Sequence, residues 1–92
     1  MKLQTVNLSK KKFLIVDDFA NYRNMIRNML REDGIDDVDD AGYAKRALQL
    51  ISENKYDVIL CDYNLGQGQD GQQLLEEARF KELIGYSTIF IM

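Results

Sequence analysis

Three aspartates in this 92-residue chain stand where short apolar runs stop: Asp17 and Asp18 follow Phe13 to Val16, and Asp62 follows Tyr56 to Cys61. If both runs are strands of one parallel sheet, their carboxyl ends open into a shared crevice, and acids distant in sequence converge there. Crowded carboxylates repel, and a divalent cation removes that cost. Hard oxygen donors suit Mg²⁺, which takes few protein ligands and keeps several waters. Each acid alone has an ordinary explanation as a helix cap or turn residue. Capping needs one acid per helix, so a pair after one run and a third after the other point past capping to a cation site.

The elements that would position these acids alternate along the chain. Phe13-Leu14-Ile15-Val16 is continuously apolar, as expected for a strand covered on both faces. Tyr22, Met25, Ile26, Met29 and Leu30 recur at helical spacing, with Arg23, Arg27 and Arg31 between them and Gly34 as the stop. That stripe is expected to be core. Ile35 to Ala41 is acidic and carries a short strand around Val38, its charge fitting a sheet edge. Ala44, Ala47, Leu48 and Ile51 predict a second helix closing near Asn54, and Tyr56 to Cys61 a second buried strand. Gly66, Gly68 and Gly71 mark a loop, and Gln72 to about Lys81 reads as a third helix on Leu74, Leu75 and Ala78. Such alternation argues for βαβ units with right-handed crossovers. Thr88 to Met92 then reads as a further central strand, after which the sequence stops. So apolar a strand needs neighbours on both edges. The expectation is therefore a fragment, or a chain whose missing layer a partner copy supplies, pairing as a homodimer through the exposed edge.

Composition sets the limits. With 46% hydrophobic and 29% charged residues and no proline, the chain is expected to fold as one domain. A formal charge of −3 and the absence of a basic stripe argue against direct nucleic-acid binding. Lys10, Lys11 and Lys12 read as a solvated lead-in, and Cys61, the lone cysteine, as a small buried hydrophobe. No run approaches the roughly 20 apolar residues of a membrane span, and nothing resembles a signal peptide, so the cytoplasm is the expected location.

Phe13 to Asp18, then Tyr56-Asp57-Val58-Ile59-Leu60-Cys61-Asp62-Tyr63-Asn64-Leu65, then Asp70-Gly71, resemble in order and register the receiver domains of two-component response regulators, especially the chemotaxis type. Gly34, Val38, Ala41, Ala47 and Leu48 fit the intervening pattern. The resemblance implies a lead-in over residues 1–11 and a partial receiver over residues 12–92. It implies an α/β, flavodoxin-like, doubly wound parallel sheet of order 2-1-3-4, with the fifth strand and last helices missing. By the same resemblance Asp62 is the phosphoacceptor and Asp18 a direct Mg²⁺ ligand. Asp17 would hold a metal-bound water or orient the shell, and Asn64 would lend its backbone carbonyl. The implied partners are a sensor histidine kinase or histidine phosphotransfer domain, docking on the outer face of the first helix, and an unknown output domain or protein.

Departures from the family pattern carry their own expectations. Glycine stands at Gly66 where proline is usual, in a loop one residue longer than the common form, which predicts greater loop mobility. The family's switch threonine or serine would follow Met92, and its fifth-strand lysine is absent, so this segment alone is expected to accept phosphate poorly. Lys45 and Lys81 read as solvated rather than as substitutes. Phe19 and Tyr63 flank the acids, where they would either shield them or simply pack. Two other functions compete with phosphotransfer. One is a Mg²⁺-dependent phosphohydrolase, disfavoured because histidine is absent and Asn64 is no acid or base. The other is a receiver-like interaction domain working by shape alone.

Overall fold

The computed structural model of the chain describes residues 8–92, and most of the expected lead-in over residues 1–11 lies outside them. A 3₁₀ turn at Leu8–Lys10 precedes β1 (Phe13–Val16), α1 (Ala20–Glu32), β2 (Val38–Ala41), α2 (Ala44–Glu53), β3 (Val58–Cys61), α3 (Gly71–Phe80) and β4 (Ile89–Ile91). Among the described residues the strands form one parallel sheet of order β2-β1-β3-β4. This is the doubly wound, flavodoxin-like order expected from the sequence, with β1 and β3 side by side at its centre.

Register decides where the acids go. Val16 pairs with Ala41 on one side and with Cys61 on the other, so Asp17 and Asp62 leave the sheet at the same level. The amide of Asp62 donates to the Val16 carbonyl at 2.8 Å, and that of Asp17 to Ala41 at 3.1 Å. Continuous apolarity of β1 has the predicted cause. Leu14 and Val16 face a core with α2 and α3, built on Ala47, Ile51, Ile59 and Leu74. Phe13 and Ile15 face the opposite way, toward Ile35, Val38, Val58 and the inner edge of α1.

Three expectations need correction. The α1 stripe is not wholly core: Ile26 and Leu30 pack inward, but Tyr22, Met25 and Met29 are about half exposed, and no α1 residue is fully buried. Its inward contact also runs through Arg23 and Arg27, which reach the Asp40 carboxylate on β2 at 2.8 and 3.1 Å. Lys12 is not merely solvated. Its ammonium meets Asp37 at 3.3 Å and Asp39 at 3.7 Å and lies over the Tyr56 ring. The hydrogen bond to Asp37 is the main reason its pKa is raised. β3 begins at Val58 rather than Tyr56. Tyr56, buried, sends its hydroxyl to Asp39 at 2.6 Å, and Asp57 accepts the Lys12 amide on its side chain at 2.9 Å. β4 is the outer strand among the described residues, as the expected order 2-1-3-4 without a fifth strand implies, with Ile89 and Ile91 more than half exposed.

Helix ends follow local chemistry. α1 stops at Asp33, and Gly34 takes φ +83°, the left-handed turn that glycine allows. α3 begins with a capping box: Asp70 accepts from the Gln73 amide at 2.8 Å, and the Gln73 side chain accepts from the Asp70 amide at 2.9 Å. No helix of the described residues is long and apolar enough to cross a membrane.

Candidate metal centre

Oxygens of Asp17, Asp18 and Asp62 lie within 4.8 Å of one another. Asp17 is the most enclosed of the three, and Asp18 and Asp62 are exposed. Two oxygens on opposite sides of one Mg²⁺ stand about 4.2 Å apart, twice the usual bond length. The spacing is therefore close to a shared coordination sphere, reached by small side-chain rotations or with one acid acting through water. The donor set is hard and anionic, which fits Mg²⁺ and not a soft metal.

Each acid is held differently. Asp17 accepts the Phe19 amide on its carboxylate at 2.9 Å, an Asx-type turn that opens α1. Asp18 stands beside Gly66, whose missing side chain would otherwise come within 3.2 Å of Asp18 Oδ2. Gly66 takes φ +75°, a conformation closed to proline, and its amide donates to Asn64 Oδ1 at 3.0 Å. Glycine at this loop position is thus required by the backbone path. The Asn64 side chain is committed to that turn, within the exposed loop where its backbone carbonyl was expected to serve the cation.

Asp62 is braced from behind by α3. The Gly71 amide donates to the Tyr63 carbonyl at 2.6 Å, and a Cβ on Gly71 would stand 2.6 Å from the Asp62 carbonyl oxygen. Only glycine lets the helix start this close to the strand end. Cys61, immediately before Asp62, is buried as expected. Burial chiefly, with the charges of Asp62, Asp17 and Asp70, pushes its thiol up to about 12.

Neighbouring residues sort out as follows. Phe19 and Tyr63 are more than half exposed and do not enclose the acids; Phe19 instead meets Tyr22 edge-on at 5.9 Å. Lys45 is exposed, as expected, and Lys81 is paired with Glu77 on its own helix at 2.8 Å. Sequence reasoning missed Arg23, whose Nη1 donates to the Asp17 carbonyl at 2.6 Å. Its available signal was the four-residue spacing of Arg23 and Arg27 opposite an acidic strand. The close approach at Gly71 carried no signal beyond the glycine itself.

A parallel sheet of this order, with acids at the carboxyl ends of its two central strands, is the arrangement the sequence resemblance implied. The profile of the response regulator receiver domain family matches residues 13–92. This chain belongs to that family. Among its relatives, chemotaxis protein CheY-3 of Vibrio cholerae serotype O1 is 30% identical over 81 residues, covering 88% of this chain and 62% of the relative. Chemotaxis protein CheY of Pseudomonas aeruginosa is 31% identical over 81 residues, covering 88% and 64%. The chain therefore spans less than two thirds of these relatives. The receiver fold also aligns with the MaeR response regulator bound to beryllium trifluoride, at a TM-score of 0.74 and 22% identity over 89% of this chain and 64% of that one. A CheY-like receiver domain from Methylobacillus flagellatus gives 0.71 and 22%, over 89% of this chain and 84% of that one. At such identities the structural matches speak to the fold.

Proposed function

We propose that this receiver is a phosphoacceptor, taking a phosphoryl group onto Asp62 from a phosphohistidine of a sensor histidine kinase or histidine phosphotransfer domain. The observation that carries the reading is the convergence of Asp17, Asp18 and Asp62 within 4.8 Å at one end of the sheet. In the transfer, a carboxylate oxygen of Asp62 forms a bond to phosphorus, the phosphorus–nitrogen bond of the donor breaks, and the imidazole departs. Asp18 would hold Mg²⁺ directly, Asp17 would orient its shell, and Asn64 would contribute its backbone carbonyl. When bound, the cation supplies charge neutralisation for the oxygens of the transferring group. The chain's own part is to hold the nucleophile exposed, with its backbone fixed by Val16 on one side and Gly71 on the other.

Such a module transmits a signal and is altered by it, and it turns over no substrate of its own. Its setting would be cytoplasmic phosphorelay signalling. A hydrolase reading lacks support: the chain has no histidine, and the Asn64 side chain is engaged by the Gly66 amide. The test is incubation of the full-length protein with radiolabelled acetyl phosphate and Mg²⁺, in native form and as Asp62→Asn. Mg²⁺-dependent labelling lost in the variant is expected; equal labelling of both proteins overturns the assignment.

A further inference from the structure

We propose that Arg23 is a positioning residue of the acidic site: its guanidinium fixes the peptide joining Asp17 to Asp18 and so aims the Asp18 carboxylate. The inference rests on the cation reading above and adds a residue to it. Arg23 Nη1 donates to the Asp17 carbonyl at 2.6 Å, and that carbonyl belongs to the peptide between the two acids. Arg23 Nε donates to Asp40 Oδ2 at 2.8 Å. The other oxygen of Asp40 accepts from Arg27 Nη2 at 3.1 Å. A planar guanidinium tied at two points to a carboxylate and a carbonyl cannot rotate freely, so β2 sets its orientation.

The rest of the loop is already fastened. The Asp17 amide donates to Ala41 at 3.1 Å, the Asp17 side chain accepts the Phe19 amide at 2.9 Å, and the Phe19 carbonyl accepts the Arg23 amide at 3.1 Å. Between these fixed points the Asp17–Asp18 peptide can still swivel, and swivelling it would swing the Asp18 side chain away from Asp62. The Arg23 contact stops that motion. Its seat is shaped for the purpose: a Cβ on Gly42 would lie 3.2 Å from Nη1, so the glycine at the end of β2 leaves room for the guanidinium. Arg27 supplies an internal control. It shares Asp40, but its remaining contact goes to the Val38 carbonyl, at the far end of β2 from the acids.

Outer contacts of this kind typically change metal affinity by about 10- to 100-fold. The experiment is calorimetric titration with Mg²⁺ of the native chain, Arg23→Gln, Arg23→Lys and Arg27→Gln, each checked by circular dichroism. Amide hydrogen exchange at Phe19 is measured without cation. Arg23→Gln is expected to bind about tenfold more weakly or worse. Lysine, a point donor that cannot span Asp40 and Asp17 together, fails to restore affinity, and Arg27→Gln stays within about twofold of native. Phe19 exchange accelerates in both Arg23 variants and not in Arg27→Gln. Native-like affinity in Arg23→Lys, or an equal loss in Arg27→Gln, overturns the positioning role and leaves the cation reading standing. A native chain that binds no Mg²⁺ overturns both.

Discussion

Gly71 and Asp62 are in near-contact through their main chains, with 2.6 Å between the Asp62 carbonyl oxygen and the point where a Gly71 side chain would begin. Gly71→Ala must push α3 off the strand end, since backbone and not a flexible side chain stands in the way. A loss of about 1–3 kcal/mol is expected, read as a shift in urea midpoint. Gly85→Ala, whose added methyl meets nothing within 4 Å, should stay within about 0.5 kcal/mol of native.

Cation binding should stabilise the fold. At ten times the dissociation constant, Mg²⁺ adds about 1.4 kcal/mol by mass action, and excess chelator reverses it. Asp18→Asn removes one of three crowded charges, so the cation-free variant should melt about 2–5 °C above native and lose most of its response to Mg²⁺. Thermal melts with and without the ion check both parts.

Proline at position 66 restores the common family residue and should nevertheless be harmful here. It cannot adopt φ +75°, and it deletes the amide that donates to Asn64. Gly66→Pro is expected to cost about 1–3 kcal/mol and to weaken Mg²⁺ binding, since the displaced loop borders Asp18. Denaturant curves and calorimetry test the two effects separately.

Tyr56 gives the fold an alkaline limit. Burial, then the hydrogen bond to Asp39, raise its pKa above the ordinary 10.0. Above pH 10 the unfolded chain releases the tyrosine proton while the folded chain keeps it, so stability falls as pH rises. Lys12, also raised, acts in the same direction above 10.5. Tyr56→Phe should cost about 1 kcal/mol at pH 7 through the lost hydrogen bond and show a shallower decline from pH 10 to 11. Urea melts across that range measure it.

The strands and helices were legible in the sequence, because continuous apolar runs and helical spacing are local signals. Acids at the ends of two apolar runs pointed to the convergence of Asp17, Asp18 and Asp62, and the sheet order came with the resemblance to receiver domains. The partners of side chains were not legible. Tyr22, Met25 and Met29 repeat at core spacing, yet periodicity cannot say how far the sheet extends beneath them. Lys12 lies in a lysine run that reads as solvated until β2 brings Asp37 and Asp39 beside it. Arg23 showed only in its four-residue spacing from Arg27, and Gly42 and Gly71 matter through close approaches between distant segments, which no local pattern encodes.

Lys12, Asp37, Asp39 and Tyr56 knit the amino-terminal rim of the sheet, while Asp18 and Asp62 stand exposed at the opposite rim, outside both apolar clusters. Architecture of this sort differs from a zinc finger, whose chain collapses only around its ion. Here the apolar clusters lie apart from the acidic end, so their packing is not built around an ion. A receiver phosphorylated and reset as proposed would draw on that separation.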